Sequence, residues 1–253
     1  MLEATGITCG YRDRAVLKEV SVSAEAGQVT ALIGPNGSGK STLLKALGNI
    51  LPLSVGSIRL NGEDLTGLAP QQFAQRVAYL AQGRAVPDIT VARMVLHGRF
   101  PYQGYPRKYR KEDREIANRA MELMGVAELA DKPLAELSGG QRQKVYLAMA
   151  LAQETDVLLL DEPTTYLDIR NQFKLLGHAK RLAAEGKHVL ISIHDLTQAL
   201  AVADRLILIE GGAVRFCGTP GEFDATDLAE RVFGVRLGHI DEGGIRRRYY
   251  ITD

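Results

Sequence analysis

A glycine-rich segment that ends in Lys40-Ser41-Thr42 constrains this chain more than any other feature. Residues 34–42 read Gly-Pro-Asn-Gly-Ser-Gly-Lys-Ser-Thr, which fits the pattern G-x-x-x-x-G-K-[ST]. The apolar run Val29–Ile33 precedes the segment and the helix-prone run Leu43–Leu47 follows it, so the pattern predicts a strand, a loop and a helix in that order. A glycine-rich turn without a ligand would explain neither the Lys-Ser pair nor three glycines at this spacing.

Such a loop suits phosphate, because glycines let backbone N–H groups approach phosphate oxygens closely and the positive end of the helix dipole faces the anion. We therefore predict that the chain binds a nucleoside triphosphate. Lys40 is expected to reach the β- and γ-phosphates, and the Ser41 hydroxyl to complete a Mg²⁺ shell. The loop residues assigned to nucleotide binding are Gly34, Pro35, Asn36, Gly37, Ser38, Gly39, Lys40, Ser41 and Thr42.

Composition excludes several other classes of protein. The chain has 253 residues, with 31 basic and 30 acidic side chains and a net charge of +1, so nothing in its bulk charge favours nucleic acid. Cys9 and Cys217 are far apart, and no C-x-x-C pair or secretory leader is present, which favours the reducing cytoplasm. No apolar run approaches the ~20 residues that a membrane span needs, so any membrane role is expected to depend on a partner.

The arrangement of apolar runs predicts the fold class. Val157–Leu160, Val189–Ile193 and Leu206–Ile209 are continuously apolar and separated by helical stretches, which is typical of parallel strands buried on both faces. Earlier, Val20–Ala24 alternates and Ser57–Leu60 runs into Asn61-Gly62, which indicates antiparallel strands and a hairpin. We expect an α/β core with an antiparallel β subdomain.

Helical patterns divide the rest of the chain. Lys111–Met124 has one apolar face and Gly125 as a stop, within a helical stretch between Gln82 and Leu137. A helix over Thr226–Phe233 and a hairpin around residues 241–244 are expected at the end. We predict one domain over 1–253, in which residues 1–82 and 138–220 form the nucleotide-binding core with the β subdomain, 83–137 an inserted helical subdomain, and 221–253 a C-terminal helix and hairpin.

Two adjacent carboxylates end the run Val157–Leu160. The carboxyl ends of such strands are where an open α/β sheet binds its ligand. Asp161 is placed to hold Mg²⁺, directly or through water, and Glu162 to polarise an attacking water. The alternative is that both acids only cap the following turn.

The segment Leu137-Ser138-Gly139-Gly140-Gln141 also has two interpretations. S-x-x-Q before a helix is a capping box, and capping is part of its expected role. Two glycines in a first helical turn, however, each cost roughly 1 kcal/mol relative to alanine, which capping alone does not require. A phosphate that approaches a bare helix N-terminus does require small residues.

Together these segments resemble the ATP-binding cassette ATPases, over nearly the whole chain. The family's glutamine loop maps onto Gln82, its signature motif onto Leu137–Gln141, the loop after the acidic pair onto Tyr166-Leu167-Asp168, and its switch histidine onto His194. Tyr11 lies where the family places an aromatic ring against adenine, although an ordinary exposed tyrosine is an equal alternative from the sequence alone.

The resemblance implies an ATPase with the P-loop NTPase fold that needs ATP and Mg²⁺. It implies that two copies pair head to tail, so that the phosphate loop of one and the signature motif of the other enclose each ATP. Its carried-over roles fall into three groups. The groups are Lys40, Gln82, Glu162 and His194 for hydrolysis; Ser41, Gln82 and Asp161 for the metal; and Tyr11, Ser138, Gly139, Gly140, Gln141 and Asp168, with the phosphate loop, for ATP.

Within that family the chain is most similar to ATP-binding subunits of importers for iron(III)-siderophores, haem and vitamin B12. The phrases that carry this likeness are Gly98–Gly104, Leu151–Thr155, Pro163–Asp168 and His194–Ala199. The likeness implies an energy-coupling subunit on the cytoplasmic face of the inner membrane, bound to polytopic permease subunits and served indirectly by a substrate-binding protein. An iron(III)-siderophore or related metal chelate is the expected cargo; haem, vitamin B12 and molybdate are alternatives.

An aromatic and arginine-rich stretch follows Gln82, where the family docks its permease. Phe100, Tyr102, Tyr105 and Tyr109 lie among basic residues, a composition typical of interfaces. We expect this stretch to dock the membrane subunit, with an ordered surface loop as the alternative. A soluble cassette ATPase for iron–sulfur assembly or DNA repair is a rival hypothesis, and a nucleotide-gated adaptor without turnover is another. The near-neutral charge counts against a nucleic-acid partner.

Overall fold

The computed structural model describes residues 1–12, 14–83, 86–242 and 245–251. Its centre is a six-stranded sheet whose strands are, from edge to edge, β10 (Ala213–Gly218), β9 (Arg205–Glu210), β3 (Val29–Ile33), β8 (His188–Ser192), β7 (Val157–Asp161) and β6 (Val77–Leu80). Neighbouring strands are parallel except for the antiparallel pair β9 and β10. The α/β core that the apolar runs predict is confirmed.

The central strands are apolar throughout because they supply two different cores. Leu158 and Leu160 of β7 pack with helices on one face, whereas Val157 and Leu159 belong to the core on the other face. Successive side chains of a strand point to opposite faces, so a strand covered on both sides needs an unbroken apolar run. This arrangement leaves the ends of the strands as the place for polar residues.

A four-stranded antiparallel sheet covers the second face. Its order is β2-β1-β4-β5, for β2 (Arg14–Ala24), β1 (Leu2–Tyr11), β4 (Val55–Leu60) and β5 (Glu63–Asp64). Asn61 and Gly62 join β4 to β5 with φ angles of 52° and 86°, as the two central residues of a tight hairpin turn require. The predicted antiparallel β subdomain and hairpin are confirmed.

Nine helices lie in the described part of the chain. They are α1 (Lys40–Leu47), α2 (Pro70–Ala74), α3 (Val91–Leu96), α4 (Lys111–Met124), α5 (Gly139–Ala152), α6 (Ile169–Ala184), α7 (Leu196–Val202), α8 (Pro220–Asp224) and α9 (Leu228–Phe233), with 3₁₀ turns over His97–Tyr102, Ala127–Leu129 and Leu134–Glu136. Helices α3, α4 and α5 pack against one another beside the sheet. Helix α4 has the predicted bounds, and Gly125 ends it with a φ of 64°, the left-handed conformation that favours glycine.

The C-terminal helix differs from the prediction. It was expected over Thr226–Phe233, but α9 begins at Leu228 because the Thr226 hydroxyl donates to Phe223 O at 2.7 Å and so closes the preceding turn. The sequence prediction also missed helix α8, which Thr219 caps by accepting from Glu222 N. The predicted hairpin is present as β11 (Arg236–Glu242) and β12 (Ile245–Ile251) in antiparallel pairing, while its expected Gly243-Gly244 turn lies outside the described residues.

None of the helices in the described ranges has the length and apolar character that a bilayer crossing requires.

Candidate functional site

The phosphate loop lies between β3 and α1, where its glycines take conformations that other residues adopt poorly. The φ angles of Gly34, Gly37 and Gly39 are 145°, 75° and 116°. A Cβ atom on Gly34 would lie 2.1 Å from Ile209 O of the neighbouring strand, so only glycine fits there. The loop therefore holds its backbone close to the edge of the sheet, and the first residues of α1 line a cleft beside it.

Lys40 is buried at the start of α1, with its ammonium group turned back over the loop. Its Nζ donates to Gly34 O at 2.8 Å and to Pro35 O at 3.0 Å. Burial lowers the pKa of this lysine, and the nearby carboxylates of Glu162 and Asp161 oppose that shift. A phosphate beside Lys40 would act in the same direction as these carboxylates and favour the charged form of the lysine.

The loop opens onto a cleft of about 390 Å³ lined by residues 36–42, Gln82 and Glu162. The Ser38 hydroxyl is buried at its wall and has no hydrogen-bond partner among the described residues. A buried hydroxyl without a partner is costly, and a bound anion would supply one. With the N-terminus of α1 facing the same cleft, the site fits phosphate groups.

Asp161 ends β7 inside a cluster of oxygen atoms. Its Oδ1 accepts from Ser41 Oγ at 2.9 Å and from Ser192 Oγ at 2.8 Å, and its Oδ2 accepts from Tyr79 OH at 3.2 Å. A carboxylate with hydroxyl and amide oxygens nearby is the donor set that Mg²⁺ prefers. The residues present therefore fit a magnesium ion held by Asp161 and Ser41, with Gln82 lining the same cleft as Ser41.

Glu162 follows in the left-handed conformation, with a φ of 46°, which turns its side chain away from the strand and into the cleft. Its Oε2 accepts from Gln82 Nε2 at 2.6 Å, and its backbone N donates to Ser192 Oγ at 2.8 Å. A non-glycine residue held at positive φ is strained and persists only where its surroundings fix it. The predicted acid and the predicted glutamine are thus brought together at the mouth of the cleft.

Ser192 was missed by the sequence analysis, although it connects both acids. It is fully buried, donates to Asp161 and accepts from the backbone of Glu162. We expect Ser192→Ala to lower the free energy of unfolding by about 1–3 kcal/mol, because it leaves buried polar groups without a partner. ATP hydrolysis is expected to fall as well, since both acids lose a shared orienting group.

Urea denaturation and phosphate release measure these effects, and Ser54→Ala, at an exposed serine, is the control. A Ser192→Ala variant that matches the control in both assays would contradict this role.

Two predicted residues lie at the rim of the site. His194 is exposed and follows the end of β8, two residues beyond Ser192, at the edge of the sheet that carries the acids. Tyr11 is partly exposed beside α1, where Lys45 Nζ lies 3.2 Å from its hydroxyl and 5.5 Å from its ring centroid. Both positions suit contact with a nucleotide bound at α1, and their roles remain predictions.

The signature segment forms the predicted capping box at the start of α5. Ser138 Oγ accepts from Gln141 N at 3.3 Å, and Gln141 Oε1 accepts from Ser138 N at 3.0 Å. Cβ atoms on Gly139 and Gly140 would meet Tyr166 and Leu167 only at 3.4 Å or more, which is ordinary contact. None of the residues that the structure describes comes close enough to require these two glycines, so the capping role alone does not account for them.

The signature segment does not reach the cleft of its own chain. It lies beside a separate pocket of about 210 Å³, whose lining includes Ala81, Gly139 and Tyr166. Asp168 caps α6, accepting from Asn171 N at 2.8 Å and Asn171 Nδ2 at 2.7 Å, and these hydrogen bonds lower its pKa. One chain therefore brings the phosphate loop, Gln82 and the acidic pair together, but not Ser138 or Asp168.

The aromatic stretch after Gln82 corrects one expectation. Tyr102, predicted as a docking anchor, is half-buried: its hydroxyl donates to Gln153 O at 2.8 Å, and the Arg99 guanidinium lies 4.0 Å from its ring centroid. Phe100 and Tyr105 are 47% and 101% exposed, as the prediction requires. Tyr102 was misassigned because the end of α5 packs beside it.

Arg99 is the centre of this packing. It is buried, and it donates to Asp113 Oδ1 at 3.1 Å, to Ala152 O at 2.9 Å and to Glu154 Oε2 at 3.0 Å. Side-chain amides at α2 hold the same stretch: Gln71 donates to Pro101 O and Gln103 O, and Gln75 donates to Pro101 O. Gln153, at the end of α5, donates instead to Ala74 O and Val77 O and so joins that helix to the core.

Comparison with known proteins finds the same family that the sequence resembles. Residues 17–165 match the family model described as ABC transporter. Over 243 residues the chain is 42% identical to the ferric enterobactin transport ATP-binding protein FepC of Escherichia coli (strain K12), an alignment that covers 95% of this chain and 90% of FepC.

Solved structures agree with this result. A metal-chelate type ABC transporter in an inward-facing conformation superposes with a TM-score of 0.84 at 25% identity, covering 99% of this chain and 96% of that one. A dimeric ATP-binding cassette in a post-hydrolysis state, bound to ADP and phosphate, gives a TM-score of 0.77 at 25% identity, covering 87% of this chain and 99% of that one.

Proposed function

Because this chain belongs to the ABC transporter family, we propose that it is the ATP-hydrolysing subunit of a membrane importer for an iron(III)-siderophore or related metal chelate. The relative FepC is named for ferric enterobactin, and the structural neighbour for a metal chelate. Both names support a chelated metal as the cargo.

The observation that carries the proposal is one cleft in which Lys40, Asp161, Glu162 and Gln82 converge. Phosphoryl transfer needs little covalent chemistry from a protein and depends on positioning and charge. The loop and the N-terminus of α1 bind the phosphates, and Lys40 neutralises their charge. The cleft therefore supports ATP hydrolysis better than any other reaction.

Glu162 is the group that orients and polarises the attacking water. It stands at the mouth of the cleft, and Gln82 donates to it at 2.6 Å, which fixes its carboxylate. His194 lies at the same edge and contacts the γ-phosphate side of the site. Asp161, Ser41 and Gln82 would hold Mg²⁺, which would supply positive charge beside the phosphate oxygens.

Ser138 and its glycines act on the ATP of a second copy. Within one chain they do not line the cleft, and no described residue lies close enough to require glycine at 139 or 140. A head-to-tail pair brings the N-terminus of each α5 to the partner's phosphates, where small residues allow close approach. Asp168, which adjoins this segment, lies at the same contact.

Polytopic permease subunits and a substrate-binding protein complete the importer, and the chain sits on the cytoplasmic face of the inner membrane. The segment after Gln82 is the permease contact, with Phe100 and Tyr105 as exposed aromatic groups. The Arg107 guanidinium lies 4.5 Å from the ring centroid of Phe100, so aromatic and cationic groups share one surface there.

The test is uptake of radioactive iron by host cells that lack this chain. Uptake from a ferric siderophore should be lost, return with the parent chain, and not return with Glu162→Gln, while uptake of ferrous iron stays normal. Normal siderophore uptake together with lost uptake of haem, vitamin B12 or molybdate would replace the cargo in this proposal.

Replacing Phe100 and Tyr105 together by alanine should reduce co-purification with the permease and the ATPase stimulation that it causes. Buried aromatic anchors at interfaces typically contribute about 2 kcal/mol or more each. ATP affinity of the free chain should not change, because neither side chain lines the cleft. Pull-down and ATPase assays on the assembled complex measure the effect.

Two controls separate docking from folding. Ile50→Ala with Val55→Ala removes two other exposed apolar side chains, and Tyr102→Phe removes only the hydroxyl bound to Gln153. Unchanged assembly of the Phe100 and Tyr105 double variant would place the permease contact elsewhere between Gln82 and Leu137.

A further inference from the structure

The loop between β7 and α6 runs from Glu162 to Asp168 and contains two strained residues. Glu162 has a φ of 46° and Tyr166 a φ of 68°, although neither is glycine. Such conformations persist only where the surrounding structure holds them in place. The direction in which the Glu162 side chain points therefore depends on the groups that hold this loop.

Two glutamine side chains from the flanking helices bind carbonyl oxygens of the loop. Gln143 of α5 donates from Nε2 to Pro163 O at 2.9 Å. Gln172 of α6 donates from Nε2 to Leu167 O at 3.1 Å and to Thr164 O at 3.4 Å. Pro163, Thr164 and Leu167 are all buried, and buried carbonyl oxygens need donors. The two amides supply them.

Gln198 of α7 holds Gln172 in the orientation that these bonds require. Its Nε2 donates to Gln172 Oε1 at 2.8 Å. A side-chain amide carries its acceptor and its donors on opposite sides, so a donor at Oε1 leaves Nε2 of Gln172 directed at the loop. Gln198 is itself placed by the cap of α7, where its backbone N donates to Asp195 Oδ1 at 3.1 Å.

The pair of Gln198 and Gln172 connects the two segments that carry Glu162 and His194. The loop begins at Glu162, and α7 begins two residues after His194. Ser192 already joins the same segments through its bond to the backbone N of Glu162. The loop is thus held at its strained first residue by Ser192 and further along the chain by Gln172.

We propose that Gln172 is a positioning residue for Glu162, and that Gln198 acts by orienting Gln172. Neither glutamine lines the nucleotide cleft, so neither contacts the nucleotide there. Without their bonds the loop is free to leave its strained conformation, and the Glu162 carboxylate turns away from the water that it polarises. The inference rests on the role of Glu162 proposed above and adds a contact within one chain.

Replacing Gln172 by methionine tests this role, because methionine has a similar length and no donor. Turnover at saturating ATP should fall at least about tenfold, since a misplacement of about 1 Å near a reacting group costs on the order of 100-fold. ATP affinity of the free chain should match the parent, because Gln172 does not line the cleft. Gln72→Met, which removes an exposed amide at α2, is the matched control and should change neither quantity.

A second comparison separates positioning from a general loss of structure. In a Glu162→Gln background the carboxylate is already absent, so adding Gln172→Met should leave the residual rate of ATP cleavage unchanged. Single-turnover assays with radiolabelled ATP measure that rate. A change that only loosened the fold would lower the rate by the same factor in both backgrounds, because independent effects are additive in free energy.

Gln198→Met provides the test if Gln172→Met does not fold, as urea denaturation will show. It keeps the donors of Gln172 and removes only the group that orients them. Turnover should fall less than in Gln172→Met. The double variant should be no slower than Gln172→Met alone, since two residues that act through one contact are not additive.

The outcomes distinguish this role from that of Glu162 itself. Near-normal turnover of Glu162→Gln would overturn the role of Glu162 and the positioning role with it. Slow turnover of Glu162→Gln together with parental turnover of Gln172→Met would overturn the positioning role alone. Equal losses from Gln172→Met with and without the Glu162 carboxylate, or a loss explained by weaker ATP binding, would overturn it as well.

Discussion

Replacing Glu162 by glutamine is expected to lower ATP turnover by about 10²–10⁴-fold while ATP binding is preserved. The amide has the same shape and keeps an oxygen that can accept the hydrogen bond from Gln82 Nε2, which is 2.6 Å long in the parent. It cannot take a proton from water. ATP should therefore stay bound, and the variant should accumulate as a dimer that light scattering detects.

Glu185→Gln is the control for this change, because it removes one exposed carboxylate far along the chain at the end of α6. The control should hydrolyse ATP like the parent and should dimerise only transiently. Near-normal phosphate release by Glu162→Gln would show that another group orients the water.

The second large effect is expected from Ser138→Arg, which should abolish both dimerisation and hydrolysis. The long cation would occupy the space at the N-terminus of α5 that a partner's phosphates need. ATP binding by the isolated chain should persist, because the cleft lined by the phosphate loop does not include Ser138. Fluorescent ATP binding, light scattering and phosphate release report the three properties separately.

Ser138→Ala separates the capping role from the proposed phosphate contact. It removes the hydroxyl that accepts from Gln141 N, and loss of such a cap costs about 0.5–2 kcal/mol of stability. It adds no bulk, so a dimer should still form with ATP. An ATP-dependent dimer of Ser138→Arg with normal turnover would show that Ser138 does not act on the partner's nucleotide.

The phosphate loop, the capping box at Ser138 and the end of α4 at Gly125 were all predictable, because each depends on residues within a few positions of one another. The acidic pair was placed correctly for a similar reason: a strand of known direction carries it to the ligand edge of the sheet. The α/β fold class was predictable as well, because the central strands appear in the sequence as apolar runs of strand length.

The contacts of Asp161 with Ser192 and Tyr79 could not be predicted in the same way. They depend on the order of strands in the sheet, in which β8 and β6 flank β7 and Asp161 lies opposite Ser192. Sequence alone identifies the strands but not their neighbours. Tyr102 illustrates the same limit, since its exposure depends on where the end of α5 packs.

The hydrogen bonds around Arg99 and Tyr102 fix one end of α5, so a small rotation of this helix about that end moves its other end by a larger distance. They fix the C-terminal end of this helix to the core and to the stretch that we propose as the permease contact, whereas its N-terminal end carries Ser138. A helix of 14 residues is roughly 21 Å long, so a rotation of about 10° around the fixed end displaces Ser138 by about 4 Å. That displacement exceeds a hydrogen-bond length, so in the proposed assembly a slight tilt at the fixed end would suffice to make or break contact with a phosphate held by the other copy.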